Sequence, residues 1–141
     1  MMSRLLMITT QTAARQPALT ACLWHFRQRT RRQWANTELI RQTLTQHNMA
    51  ECIIQTRMAD YLAWGLCPPD LQAGSHWRIY LQQLTAQAEK PHLSLFISGF
   101  STEDTHVLGQ RLAAQGFRQI AWIDTDNDAL AAQQLDELMA C

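Results

Sequence analysis

The sequence predicts a three-layer α/β domain, a small and mostly parallel sheet of three or four strands flanked by helices. Three observations predict it. Short apolar runs at Arg4–Thr10, His92–Phe100 and Gln119–Asp124 alternate with stretches of helical periodicity. The last two runs are about 20 residues apart, the length a parallel crossover needs. The 141 residues are 47% apolar, and no Pro/Gly/Ser-rich linker interrupts them, so residues 1–141 read as one domain with its own core.

The elements follow in order. Arg4–Thr10 is apolar and ends in β-branched residues, as a strand does. Pro17 suits the first position of a helix, and Leu19, Cys22, Leu23 and Phe26 follow at helical spacing. Asn36 is a fair cap for a second helix to about His47, with Leu39, Ile40, Thr43 and Leu44 inward. Met49–Thr56 reads either as a short strand or as the start of a helix running to Trp64, ended by Gly65, Pro68 and Pro69. Ser75 can cap a helix carrying Trp77, Tyr80 or Leu81, Leu84 and Ala88, which Pro91 stops. Ser101 to Asp104 is a capping box opening a helix with Val107, Leu108 and Leu112 inside. Gly116 stands where a left-handed residue closes it. A last helix, about Asp128–Ala140, buries Ala131, Leu135 and Leu138.

Composition narrows the function classes. No apolar run approaches the ~20 residues of a membrane helix, and the first residues lack a secretory pattern, so a cytoplasmic location is expected. The four cysteines form no CxxC pair and read as reduced thiols. Cys22 and His25 are spaced as C-x-x-H, but Cys22 also fits an apolar helix face, and no metal site is expected. Net charge is zero but uneven. Residues 1–41 hold seven Arg and one acid, and residues 101–141 hold two Arg and seven acids. Eleven of the twelve basic residues are Arg, the better partner for carboxylate and phosphate.

The segment from "LFISG" through "RLAAQGF" to Asp124 resembles the β-α-β half of Rossmann-type domains, a fold-level likeness over about a third of the chain. The resemblance implies a nucleotide at the turn after the strand. The residues there, Gly99-Phe100-Ser101-Thr102-Glu103-Asp104, keep only the first glycine of G-x-G-x-x-G, and they bring their own acids to the helix end. The expected fold is therefore Rossmann-like without the Gly-rich loop. Gly99, Ser101, Asp124 and Asp126 are the candidate ligand residues at the C-terminal edge of the sheet. No P-loop, HExxH or G-x-S-x-G pattern is present. "DTDND" (124–128) starts like a calcium loop, but Ala129 and Leu135 occupy its glycine and glutamate places.

The basic stretch "FRQRTRRQW" and its neighbours carry Trp24, Arg27, Arg29, Arg31, Arg32 and Trp34. Trp and Arg are the residues that most often anchor interfaces. Trp64 also falls off its supposed helical stripe, as an exposed residue would. The leading expectation is a non-catalytic interaction subunit, adaptor or regulator that meets an acidic protein surface through those six residues. It needs no cofactor and has no catalytic residue. The alternative is an enzyme or sensor binding a nucleotide or phosphorylated ligand at Gly99, Ser101, Asp124 and Asp126. A third is nucleic-acid binding, by the basic stretch or by a helix-turn-helix over 36–64. The sequence does not fix the oligomeric state.

Overall fold

The computed structural model describes residues 3–84 and 92–140. Five parallel strands form one sheet: β1 (Ser3–Thr10), β2 (Thr37–Leu44), β3 (Tyr61–Leu66), β4 (His92–Ile97) and β5 (Ile120–Asp124), in the order β2-β1-β3-β4-β5. Between them run α1 (Pro17–Gln33), α2 (Met49–Met58), α3 (His76–Gln82), α4 (Thr102–Ala114) and α5 (Asp128–Met139). Short 3-10 turns stand at Ala13–Arg15 and Pro68–Leu71. Among the described residues, no helix is long and apolar enough to cross a membrane.

The sheet divides two cores. Leu19, Leu23 and Phe26 of α1 and Ala131, Leu135 and Met139 of α5 pack on Leu5, Met7, Ala63, Phe96 and Ile123. On the other face α2, α3 and α4 cover Leu6, Ile8, Leu62, Trp64 and Leu95. The expected three-layer plan is present, with more strands than expected.

The additional strands correct two readings. Thr37–Leu44 is a strand, not a helix capped by Asn36. Leu39 packs on the α1 side while Ile40 and Leu44 pack on the α2 side. A parallel strand with apolar residues on both faces loses its simple alternation and mimics a helical stripe. Met49–Thr56 is helical, but the helix stops at Met58 and the chain re-enters the sheet as β3. Trp64 lies on that central strand and is fully buried, so it is not a surface anchor. With a strand at 37–44, no helix-turn-helix spans 36–64.

Gly65 explains why β3 was hidden. It suggests a helix stop, yet here it admits α1: an added Cβ would stand 2.9 Å from Leu19 Cδ2 and 3.0 Å from Thr9 Cγ2. Pro17 at the head of α1, Ser75 capping α3 and the Ser101–Asp104 box on α4 are as expected. Gly116 has φ +95°, the left-handed residue after α4. The Ala88 and Pro91 readings lie outside the described residues.

Candidate functional site

In an open parallel sheet, ligands gather outside the C-terminal strand ends where the winding direction reverses. The order 2-1-3-4-5 places that reversal between β1 and β3. The first turn there is Gln11–Gln16. Thr10 is buried, and its Oγ1 accepts from the Ala13 N–H at 3.1 Å and donates to Asp70 Oδ2 at 2.8 Å. That pair of bonds folds the chain into the 3-10 turn, closed by Arg15 N–H to Thr12 O and Gln16 N–H to Ala13 O. Among the described residues, nothing accepts from the N–H of Thr12 or Ala14, both exposed, while the Gln11 N–H continues the β1–β2 ladder toward Leu44. The first turn of α1 holds no acid, and Arg15 beside it forms no ion pair among the described residues. Exposed Thr12 and Arg15 belong to the same turn, just before a helix N-terminus whose dipole favours negative charge.

Across the reversal stands the Cys67–Ser75 turn. Asp70, 5% exposed, is its hub: Oδ2 accepts from Cys67 N–H at 2.8 Å as well as from Thr10, and its carbonyl accepts from Ser75 Oγ at 2.7 Å. Burial pushes the Asp70 carboxyl above its usual range, against the opposing pull of those two donors.

The turn after β4 has the opposite character. Asp126 takes the Gly99 N–H and, at 2.8 Å, the Ser98 hydroxyl. Gly99 has φ +76°, and the Pro68 ring lies 3.5 Å from where its Cβ would be. Asp124 Oδ1 accepts from Asp126 N–H at 3.1 Å, and Ser101 and Asp104 cap α4 reciprocally at 3.1 Å each. The four sequence candidates Gly99, Ser101, Asp124 and Asp126 therefore share one edge of the sheet, but their donors and acceptors are engaged with the protein itself. Thr10, Thr12, Arg15 and Asp70 were missed. The legible signal was "TTQT" (9–12), three hydroxyls at the end of a strand and just past it, ahead of a proline-headed helix.

The six Arg and Trp candidates do not form one surface. Trp24 is 50% exposed, and Arg31 and Arg32 are exposed at the end of α1. Arg29 turns to α5 and pairs with Asp136 at 2.6 Å. Trp34 stacks on Tyr61 at 5.8 Å, at the N-terminal end of the sheet. Arg27 lies half-buried towards β2, its guanidinium made easier to deprotonate by burial and by Arg41 and Arg31. No group of three or more His, Cys, Asp or Glu placed to hold a metal occurs among the described residues.

The sheet order β2-β1-β3-β4-β5 with helices on both faces is a flavodoxin-like α/β fold. No protein-family model matches the chain, and no curated protein matches it in sequence. Solved structures match its fold over almost the whole chain. The azoreductase of Bacillus anthracis str. Sterne aligns over 99% of this chain and 98% of its own, with TM-score 0.67 and 11% identity. RosB, solved with bound 8-demethyl-8-formylriboflavin-5'-phosphate, aligns over 98% and 76% with TM-score 0.62 and 9% identity. A short-chain flavodoxin associated with a non-canonical PDU bacterial microcompartment aligns over 99% and 95% with TM-score 0.59 and 10% identity.

These likenesses overturn the expectation of a non-catalytic adaptor or regulator. That expectation took the missing glycines after β4 as the loss of a ligand site. In a sheet of this order the winding reverses at β1/β3, so missing glycines after β4 do not argue against a ligand.

Proposed function

We propose that this chain binds a phosphorylated flavin of the flavin mononucleotide class at the β1/β3 edge and works in electron transfer or reduction. The observation that carries the reading is the Gln11–Gln16 turn, whose amides at Thr12 and Ala14 have no acceptor among the described residues. Those donors, the Thr12 hydroxyl and Arg15 fit the phosphate of such a group. The Gly99 turn does not, because Asp126 and Asp104 already supply its negative charge. The neighbouring RosB structure holds a riboflavin phosphate in this fold. When bound, the flavin supplies hydride and electron transfer. The chain's own part is to hold the phosphate on Thr12 and Arg15 and to keep the turn rigid through Thr10 and Asp70. Pro68, Gly99 and Phe100 are the rim residues beside it.

Reconstitution tests this. The purified chain is expected to retain flavin mononucleotide through gel filtration and to quench its fluorescence, while riboflavin, lacking the phosphate, binds at least about tenfold more weakly. Thr12→Glu, which sets a carboxylate against the phosphate, is expected to abolish retention without lowering the melting temperature. Equal binding of riboflavin, or no binding of either flavin, refutes the reading.

A further inference from the structure

We infer that the opposite, N-terminal edge of the sheet carries a second ligand site, shaped for a planar aromatic anion such as an aryl carboxylate or sulfonate. A cavity of about 890 Å³ opens there between the C-terminal halves of α1 and α5. Its origin is in the sequence. Ala63, Ser94 and Ala121 are register partners across β3, β4 and β5 and face the α1/α5 layer. Three small side chains in a row leave the sheet surface low just where the two helices bridge it. Phe26 and Trp34 stand on one side of the hollow and Leu138 on the other. The volume lies in the range of small-molecule sites, and the lining mixes rings and aliphatic side chains with polar ones.

Two of those polar groups are unpaired. Ser94 is 9% exposed, lines the cavity, and its hydroxyl makes no hydrogen bond among the described residues. That hydroxyl is open to the hollow and can donate to or accept from a ligand group there. Arg118, at the mouth, is exposed and has no carboxylate partner among the described residues. Arg-to-carboxylate contacts are strong and directional, which selects an anion.

The wall selects a flat partner. Trp34, Tyr61 and His92 form a run of stacked rings, 5.8 Å and 28° apart, then 6.1 Å and 24°. Phe26 meets Trp34 edge-on at 6.3 Å. These contacts hold the Trp34 ring in place without help from a ligand, so the wall is preorganised. An aromatic body in the hollow meets rings and Leu138, its polar substituent reaches Ser94, and its anionic group meets Arg118 at the mouth.

This site is independent of the proposed flavin edge. Leu5 lines the hollow and Thr10 begins the phosphate turn, so the two lie at opposite ends of β1, roughly 16 Å apart by strand rise.

The test is an amide NMR titration of the full chain with 2-naphthoate, with 2-naphthamide as the uncharged control. The expected result is saturable one-to-one binding of 2-naphthoate. Its shift changes centre on Ser94, Ala121 and the Trp34 indole, and flavin mononucleotide does not displace it. Arg118→Ala should weaken it about tenfold with an unchanged melting temperature, and bring the acid down to the affinity of the amide. Ser94→Val, which fills the floor beneath the ring, should weaken both compounds alike. Failure of 2-naphthoate to saturate, shifts centred on Gln11–Arg15, or indifference to both substitutions would overturn the inference. Loss of flavin binding alone leaves it standing, so its failure and that of the flavin reading are distinguishable.

Discussion

Thr10 Oγ1 donates a 2.8 Å hydrogen bond to Asp70 Oδ2 across the point where the sheet reverses its winding, and both residues are buried. Through this one carboxylate oxygen the turn after β1 is tied to the turn after β3, because Cys67 N–H reaches the same atom.

Asp70→Ala leaves the Thr10 hydroxyl and the Cys67 amide without their acceptor, and should cost about 1–3 kcal/mol of stability. Asp70→Asn keeps one carbonyl oxygen for both donors and should cost less. The pH dependence separates charge from geometry. Burial raises the folded-state value of the Asp70 carboxyl. A carboxyl raised in this way holds its proton more tightly in the folded chain. Its contribution is then complete below the unfolded value of about 4 and is lost as pH rises through the higher folded value. Urea midpoints measured from acid to neutral pH should show that loss in the wild type. Asp70→Asn should lack that component, and an unaltered profile there would assign the slope to another group.

Asp126 holds the β4–α4 turn by accepting from Gly99 N–H and Ser98 Oγ. Its removal should act locally, since the residue is exposed and the bonds bridge only two turns. Asp126→Ala is expected to speed hydrogen exchange at the Gly99 amide by about tenfold or more, while amides in the middle of β4 keep their protection. Uniform loss of protection along β4 would show instead that the turn is coupled to global unfolding.

The parts of the fold legible in the sequence are those where local chemistry and burial agree. Ser101 and Asp104 announce α4, Gly116 closes it, and Pro17 opens α1. The hidden parts are β2 and β3, whose signals depend on neighbours far away in the chain. Leu39 and Ile40 look like one helix face until β1 is placed beside them, with Leu39 and Ile40 on opposite sides of the sheet. The ligand edge was legible only as a region. Sequence singled out the β4 turn because "LFISG", the helix end and Asp124 resemble a Rossmann-type unit, whereas strand order puts the reversal at β1/β3. Strand order is a property of long-range pairing, and no window of residues displays it. The Arg and Trp set is dispersed for a related reason. Arg29 and Trp34 are adjacent in sequence to Arg31, yet they answer to Asp136 and Tyr61, far along the chain.

Gly65 is where the α1 layer meets the central strand most closely. A Cβ there stands at 2.9 Å from Leu19, 3.0 Å from Thr9 and 3.3 Å from Leu23, all closer than ordinary contact. Gly65→Ala should therefore destabilise the chain by about 1–3 kcal/mol through overpacking, despite the usual advantage of Ala over Gly. Pairing it with Leu19→Ala, which removes the nearest clashing atom, should give less loss than the sum of the two single changes. Strictly additive losses in a denaturant cycle would place the strain elsewhere.

Cys67 follows β3 beside the proposed flavin edge, which invites a redox role for its thiol. The surroundings argue otherwise. Cys67 is 3% exposed, and burial, with Asp70 and then Asp126 adding to it, pushes its thiol up to about 11. Cys52 is fully buried and is likewise pushed up to about 11, by burial first and Glu51 second. At pH 8 such a thiol is ionised at about one part in a thousand, and only the thiolate attacks an alkylating agent or a disulfide. Iodoacetamide at pH 8 followed by peptide mapping should leave Cys52 and Cys67 unmodified in the native protein and modify both in urea. Cys67→Ala should leave flavin retention unchanged while lowering stability by the loss of a packed side chain. Rapid native labelling of Cys67, or loss of flavin retention in Cys67→Ala at full stability, would return that thiol to the site's chemistry.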